Sequence, residues 1–201
     1  PGDAQNFQNC VRRFMGVSFR RGEAEITAQT TSTAFDFTGE DAADDPSWTL
    51  KAGPYPISID VEGIKEMAAR KETKERARQI RRELGDPETV FLGVDRLDYT
   101  KGILQRLLAI ESLLEEGRLS DIAFVQIATP SRERIEHYRT TRKQVEEAIG
   151  RINGRFGEVG RPVVHYVHRS VPKEQLGTFY AAADIMLVTP FKDGMNLVAK
   201  E

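Results

Sequence analysis

Residues 90–102 read Val-Phe-Leu-Gly-Val-Asp-Arg-Leu-Asp-Tyr-Thr-Lys-Gly, and this stretch decides the fold. Its first five residues are short, continuous in apolar character and rich in branched side chains, which is typical of a strand buried on both faces. Leucines recur at helical spacing directly afterwards, so we predict a helix from about 101 to 116. A buried strand that leads straight into a helix is the repeating unit of a parallel α/β sheet.

The same rhythm continues on both sides of this stretch. A charged segment that ends at Gly85-Asp86-Pro87 precedes it, and further short apolar runs alternate with helical patterns after it. We therefore predict an α/β fold with a Rossmann-like, doubly wound parallel sheet. The strands are expected at 90–94, 122–127, 163–167 and 185–188, and the helices at 61–84, 101–116, 131–152 and 173–183.

The first part of the chain differs in texture. Apolar spacing predicts a short helix over 5–15, and two short strands are expected within 22–60, separated by an exposed acidic loop around Asp41–Asp45. The prolines near Tyr55–Asp60 indicate an extended strand that leads out of one domain. We divide the chain at this point, into 1–57 and 58–201.

Composition excludes several classes of function. The formal net charge of −2 argues against a nucleic-acid-binding protein, which usually carries a marked basic excess. No apolar run has the length of a membrane span, so no membrane partner is expected. Cys10 is the single cysteine, which excludes an intrachain disulfide and fits a reducing, cytoplasmic setting.

Both ends of the chain are abrupt. It begins with Pro1-Gly2-Asp3 rather than methionine, and the segment from Asp193 to Glu201 reads as a helix that is just beginning. We therefore expect that both ends lie within a longer protein.

The loop after the first predicted strand carries two cations. Ligands of doubly wound sheets bind at the carboxyl ends of the strands, where Arg96 and Lys101 lie just before a helix start. A guanidinium, an ammonium and the free amides of a helix N-terminus together suit a phosphate. The alternative is that Arg96 only pairs with Asp95 or Asp98.

The loop after the second strand leads into the long predicted helix. Ser131 is a suitable N-cap, and Arg132 follows at the head of that helix. A cation there is unfavourable to the helix dipole unless an anion lies nearby. Arg132 is therefore a candidate anion ligand, with a solvated arginine as the alternative.

The loop after the fourth strand also has the features of a ligand site. Gly194 permits a tight or positive-φ turn, Asp193 could accept hydrogen bonds from hydroxyl groups, and free amides would follow at a helix start from Asn196. Glu201 lies four residues after Leu197 and so on the same helix face. The alternative is a capping aspartate followed by an ordinary helix.

These loops resemble the trehalose-6-phosphate synthases, glycosyltransferase family 20. The resemblance lies in three motifs that occur in the expected order: Gly93 to Ile103, Gln126 to Arg132 and Asp193 to Glu201. It is continuous from about Tyr55 and looser over the residues before it.

The resemblance implies a GT-B fold, with two Rossmann-like domains. On this basis 1–57 is the end of an N-terminal, acceptor-side domain with its linker strand, and 58–201 is a donor-binding domain that is truncated at its C-terminus. The implied reaction transfers glucose from UDP-glucose or GDP-glucose to glucose 6-phosphate and retains the anomeric configuration. No metal or other cofactor is implied, and a homo-oligomer is compatible with the family. The 201-residue chain alone is expected to lack transferase activity.

Family analogy also implies roles for individual residues. Arg96 and Lys101 would act in catalysis by binding the donor diphosphate, and Arg132 would contact the phosphate of the acceptor. The other substrate-binding residues would hold the donor's sugar, phosphate and ribose: Asp193, Met195, Asn196, Leu197, Val198 and Glu201.

Three other readings stay open. A glucosylglycerol-phosphate synthase or a pseudo-glycosyltransferase would share most of the donor-side residues and differ mainly in the acceptor half. A non-catalytic regulatory subunit could bind nucleotide sugar, although such subunits often lose donor residues that are present here. A sugar-nucleotide epimerase would be expected to carry different loop motifs.

Overall fold

The computed structural model describes residues 24–29, 47–52, 57–131 and 135–201, and the chain divides into two compact units, 1–57 and 58–201. In the first unit, strand β1 (Ala24–Gln29) pairs antiparallel with strand β2 (Ser47–Ala52). The two short strands expected in this region are therefore confirmed. The predicted helix over 5–15 and the acidic segment at Asp41–Asp45 lie outside the described residues.

The second unit is built on a four-stranded parallel sheet. The four strands are β3 (Thr89–Arg96), β4 (Ile122–Thr129), β5 (Val164–Val167) and β6 (Ile185–Met186). Their spatial order is β5-β4-β3-β6, so the two long central strands are β4 and β3. Strand β3 pairs with β4 along its whole length, from Thr89 opposite Ile122 to Arg96 opposite Thr129.

The described residues of this unit contain five helices, and each face of the sheet has its own apolar core. On one face, Leu107 and Ile152 pack against Phe124. On the other face, Ile80 and Ala182 pack against strand residues such as Leu92. The predicted doubly wound arrangement is therefore confirmed. The helices are α1 (Val61–Ala69), α2 (Lys71–Glu83), α3 (Ile103–Glu115), α4 (Glu136–Phe156) and α5 (Lys173–Ala182).

The prediction of one continuous helix over 61–84 is wrong. The helix breaks at Arg70, whose ψ of 140° is extended, and α1 and α2 lie on either side of it. In a single helix, Met67 and Ile80 would lie about 140° apart around the axis. Both are buried, and Met67 packs against Gly177 of α5. The break lets each helix turn its own apolar side towards the rest of the unit.

The long helix begins later than expected, at Glu136 rather than at Ser131. Ile135 precedes it in extended conformation, so Ser131 is not its N-cap. A start at Ser131 would have placed arginines in the first turn, where the helix dipole disfavours cations, whereas the observed start places Glu136 there.

Two extended segments are shorter than predicted. The fourth strand was expected over 185–188, and the β6 ladder covers Ile185–Met186, although the amide of Leu187 still donates to the Leu92 carbonyl of β3 at 2.8 Å. Residues 57–60 of the expected linker strand form no strand, and residues 55–56 lie outside the described part.

Candidate functional site

The loop after β3 uses its aspartates to build its own structure. Asp98 accepts hydrogen bonds from the backbone N and the Oγ1 of Thr100, both at 2.9 Å, and so caps the short 3₁₀ turn Tyr99–Lys101. Burial raises the pKa of Asp98, but the hydrogen bonds from Thr100, with smaller contributions from Tyr138 and Arg96, lower it overall. Asp95 is turned inwards, with its Oδ2 2.9 Å from the Nη2 of Arg106.

Arg96 is exposed at the end of β3. Within the described residues, no hydrogen bond or ion pair involves its guanidinium, because Asp95 and Asp98 are held by other groups. The alternative in which Arg96 closely pairs with a neighbouring aspartate is therefore not what the structure shows. Its donors are available to an anion at the carboxyl end of the sheet.

Gly102 lets two loops approach each other closely. Its φ of 64° lies in the left-handed region, and a Cβ at this position would lie 2.3 Å from the carbonyl oxygen of Thr189. The loop after β6 therefore lies directly against the start of α3. The amide of Phe191 donates to the carbonyl of Thr100 at 2.9 Å, which holds the same two loops together.

Lys101 and Asp193 meet where these loops touch. The Nζ of Lys101 lies 2.7 Å from the Oδ2 of Asp193, and the two side chains are 15% and 20% exposed. The hydrogen bond from Lys101 is the main cause that lowers the pKa of Asp193 below its ordinary value, although partial burial opposes it. The structure thus brings together two candidate residues that are 92 positions apart in sequence.

The residues after Asp193 form a turn that resembles the first turn of a helix. Asn196 accepts from the amide of Ala199 at 3.2 Å, as an N-cap does, and the amide of Glu201 donates to the carbonyl of Leu197 at 3.1 Å. In the described part of the chain, the amides of Leu197 and Val198 donate to no acceptor. The expected free amides are therefore present, but the residues form one hydrogen-bonded turn rather than an assigned helix.

Gly194 permits a tight or a positive-φ turn, and the positive-φ turn is not formed, because the described glycines with positive φ are at other positions. A Cβ at Gly194 would face open space, so nothing in the described chain requires glycine there by contact. Met195 is exposed beside it, whereas the side chain of Val198 packs against the core shared with α5. Of Val198, the backbone is therefore the part available to a ligand.

Glu201 is held by a residue that the sequence did not single out. The hydroxyl of Tyr180, on α5, donates to the Oε2 of Glu201 at 2.7 Å. Burial, and then the bond to Glu201, raise the pKa of Tyr180, so its hydroxyl stays protonated and remains a donor. Tyr180 therefore fixes the direction of the Glu201 carboxylate.

A buried polar cluster lies beneath the two loops. Arg106 of α3 donates to the Oε1 of Gln126 at 2.8 Å and to the Oγ1 of Thr189 at 3.1 Å, in addition to its ion pair with Asp95. Burial raises the pKa of Asp95, and the Arg106 guanidinium counteracts this shift. A glutamine inside the apolar run of β4 was the signal in the sequence, because a buried amide needs a partner.

Not every candidate is placed beside this cluster. Arg132 lies outside the described residues, so its candidate role as an anion ligand stays a prediction. A half-open cavity of about 170 Å³ is lined by five residues that include none of the candidates for donor binding. They are Leu97, Ser131, Tyr138, Arg139 and Arg142.

Two features are absent from the described residues. These residues contain no group of three or more His, Cys, Asp or Glu residues arranged to hold a metal ion. They also contain no helix that is both long and apolar enough to span a membrane.

Comparison with known proteins identifies the relatives of this chain. The profile of Glycosyltransferase family 20 matches residues 1–201. A trehalose-6-phosphate synthase from Mycolicibacterium vanbaalenii is 50% identical over the whole chain, and one from Mycobacterium tuberculosis is 48% identical. The chain spans 39% of the length of each of these two relatives.

Solved structures show the same architecture. A trehalose-6-phosphate structure from E. coli bound with UDP-2-fluoro glucose has a TM-score of 0.79 at 31% identity, and covers 99% of this chain and 40% of its own. An α,α-trehalose-phosphate synthase (UDP-forming) from Burkholderia xenovorans, in complex with glucose-6-phosphate, has a TM-score of 0.74 at 34% identity. That likeness covers 90% of this chain and 37% of the other. The predicted Rossmann-like sheet of a GT-B fold is confirmed by this likeness.

Proposed function

Because the chain belongs to glycosyltransferase family 20, we propose that the protein transfers glucose from UDP-glucose to glucose 6-phosphate and forms trehalose 6-phosphate. Residues 58–201 supply the donor site in this proposal. Its support comes from relatives named trehalose-6-phosphate synthase, and from related structures that hold UDP-2-fluoro glucose or glucose-6-phosphate. GDP-glucose is the second donor to be tested, since no described contact selects the base.

One observation carries the assignment of the donor site: the 2.7 Å contact between Lys101 and Asp193. It joins the loops after β3 and β6 at the carboxyl edge of the sheet, where nucleotides bind in doubly wound folds. A cation for the diphosphate and a carboxylate for the sugar hydroxyls are thus adjacent. Arg96 adds a second cation whose donors are not engaged by the described residues.

The remaining donor contacts come from the turn after Asp193. The free amides of Leu197 and Val198, with the backbone of Met195 and Asn196, would face the sugar and the phosphate. Glu201, directed by Tyr180, would accept hydrogen bonds from the ribose hydroxyls. In this proposal Arg132 contacts the phosphate of the acceptor.

The proposed chemistry depends on position and charge. The bond between the anomeric carbon and the leaving phosphate oxygen breaks, and a hydroxyl oxygen of the acceptor bonds to that carbon on the same face. The acceptor's proton passes to the leaving phosphate oxygen. Arg96 and Lys101 offset the charge that develops on the departing nucleoside diphosphate, so two protein cations carry the electrostatic stabilisation.

We further propose that the reaction takes place in the reducing cytoplasm, with which the single cysteine is compatible. Light scattering of the preparation that is used for the activity measurement tests whether the protein is a homo-oligomer.

The test is an activity measurement on the protein in its whole length. UDP-glucose or GDP-glucose is mixed with glucose 6-phosphate, release of the nucleoside diphosphate is followed, and the anomeric configuration of the product is read by NMR. We expect an α,α-linked product that appears only when both substrates are present. Transfer to glycerol 3-phosphate instead would identify a glucosylglycerol-phosphate synthase, and donor binding without transfer to either acceptor would identify a regulatory subunit.

A further inference from the structure

Arg106 is a buried cation for which the proposed reaction has no direct use. Its side chain is 1% exposed, and that of its partner Asp95 is 4% exposed. Removal of a guanidinium from water is costly unless its donors are satisfied by the protein. Its partners therefore indicate what the burial achieves.

Those partners lie on three different elements. Asp95 is the penultimate residue of β3, Gln126 belongs to β4, and Thr189 lies in the loop after β6. The contact distances are 2.9, 2.8 and 3.1 Å respectively. Arg106 itself is in the first turns of α3, where its amide donates to the carbonyl of Gly102 at 3.0 Å.

The backbone is specialised to admit this guanidinium. A Cβ at Gly93 would lie 2.2 Å from the Nη1 of Arg106. Any residue other than glycine at position 93 would therefore displace the guanidinium. Thr189 also contacts the backbone of Gly102, because its Oγ1 donates to the Gly102 carbonyl at 3.4 Å. Arg106 and Thr189 together therefore connect β3, α3 and the loop after β6.

In the sequence, Arg96, Lys101 and Asp193 each lie within four residues of one of these contact points. Asp95 precedes Arg96, Gly102 follows Lys101, and Thr189 lies four residues before Asp193. A shift of the Thr189 loop away from α3 would separate Lys101 from Asp193, which are in contact at 2.7 Å. Arg106 is buried and so cannot contact a donor itself.

We propose that Arg106 is a positioning residue, which acts through its hydrogen bond to Thr189 to hold the loops after β3 and β6 in the arrangement that binds the donor diphosphate. This inference rests on the proposed function. Sites that are organised in advance bind better because the protein does not have to order its loops when the ligand arrives. A residue that served stability alone would leave donor affinity unchanged when its contact to Thr189 is lost.

The experiment uses the Thr189→Val variant of the full-length protein. Valine has nearly the same shape, keeps the buried ion pair of Arg106 and removes the hydroxyl that Arg106 contacts. We expect calorimetry to show UDP-glucose binding about tenfold weaker, close to the lower end of the range for one hydrogen bond to a charged group, because the lost bond holds a loop and does not contact the donor. KM for glucose 6-phosphate should change less than about twofold. Thr189→Ser restores the hydroxyl and should recover most of the affinity.

Thr178→Val is the matched control. Thr178 is a buried threonine of α5 whose hydroxyl donates to the carbonyl of Gln175 at 2.7 Å, so its loss tests the general effect of removing such a bond. Whatever its effect on the melting temperature, it should leave UDP-glucose affinity within twofold of wild type.

The outcomes separate this inference from the function on which it rests. If wild-type protein does not bind UDP-glucose, the proposed function fails. If wild type binds but Thr189→Val binds equally well, whatever its melting temperature, the positioning role of Arg106 is overturned and the function stands. Arg106→Lys, which keeps a charge near Asp95 but cannot contact three partners, should also weaken UDP-glucose binding; unchanged affinity would overturn the inference in the same way.

Discussion

At the scale of single residues, Arg96 gives the most direct test of the donor site. Its guanidinium is exposed and has no partner among the described residues, so a diphosphate would receive its full set of donors. Arg96→Ala should remove a charge-assisted contact of about 1.5–3 kcal/mol. We expect calorimetry to show a 10- to 150-fold loss of UDP-glucose affinity, by the usual conversion of free energy to affinity.

Arg78→Ala is the control for this change. Arg78 is an exposed arginine of α2 on the outer surface of the second unit, and its loss changes the net charge equally. Donor affinity should stay within about twofold of wild type, as expected for a charge remote from the ligand. If Arg96→Ala behaves like Arg78→Ala, Arg96 does not contact the donor.

The ion pair between Lys101 and Asp193 predicts a dependence of stability on pH. Because the pKa of Asp193 is lowered in the folded protein, mainly by the hydrogen bond from Lys101, the pair stabilises the fold above the unfolded value of about 3.9. That contribution is lost as the pH falls through the lower, folded value. In Lys101→Met it is missing at every pH.

Urea unfolding of wild type and Lys101→Met between pH 7 and pH 3 measures this contribution. The difference in free energy of unfolding should be constant near neutral pH and shrink below about pH 4. Lys143→Met, which breaks an exposed pair with Glu147 on α4, should show a much smaller difference throughout. A wild-type advantage over Lys101→Met that persists undiminished to pH 3 would contradict the assignment.

The candidate ligand-binding residues could be predicted from the sequence, but the residues that position them could not. Arg96, Lys101 and Asp193 follow strands, and the rule that ligands bind at strand ends identifies such positions. Arg106 lies within a helix, where an arginine is usually a surface residue. Only the fold shows that the side chain of Arg106 is buried against the sheet and donates to Gln126. The contact of Tyr180 with Glu201 could not be predicted for the same reason, since it depends on how α5 packs.

At the scale of secondary-structure elements, the start of α3 depends on Gly102. Its left-handed φ costs a residue with a side chain about 1–2 kcal/mol, and a Cβ would also meet the carbonyl of Thr189 at 2.3 Å. Gly102→Ala should therefore destabilise the protein by about 2–5 kcal/mol, because strain and overpacking add. Urea unfolding measures the loss.

Gly117→Ala separates these two causes. Gly117 ends α3 with a φ of 66°, almost the same as that of Gly102, but nothing lies within 4 Å of its Cβ position. This variant should lose only the conformational part, about 1–2 kcal/mol. Equal losses for the two variants would mean that the close approach of the Thr189 loop does not constrain α3.

The positions of the elements were predictable from sequence to the extent that local pattern determines them. Strands β3 and β4 are largely apolar runs next to turn residues, and both are predicted within two residues of their observed ends. The break at Arg70 has no local cause, since neither proline nor glycine is adjacent to it. It follows from the separate burial of Met67 and Ile80, which is a property of the packed unit.

At the scale of the whole second unit, the central strands belong to both cores. Strand β3 directs Leu92 to one face, against α2 and α5, while β4 directs Phe124 to the other face, against Leu107 of α3 and the residues of α4. Since β3 and β4 are hydrogen-bonded along eight residue pairs, neither core can open without strain on the strands that carry the other. The loops of the proposed donor site leave the ends of β3 and of its neighbour β6, and so depend on both cores.

We therefore predict that the two faces unfold as one cooperative unit. Leu92→Ala and Leu107→Ala each remove a side chain that is at most 1% exposed, and each should cost about 2–5 kcal/mol through lost burial and the cavity left behind. Hydrogen exchange read by mass spectrometry should show both variants accelerating exchange in peptides from β3 and from β4 alike, because both act on the same opening reaction. Leu108→Ala, beside Leu107 but 43% exposed, should accelerate neither strand appreciably. If Leu107→Ala accelerated exchange only in α3 and α4 while β3 kept its protection, the two cores would open independently. The loops of the proposed donor site would then not depend on both cores.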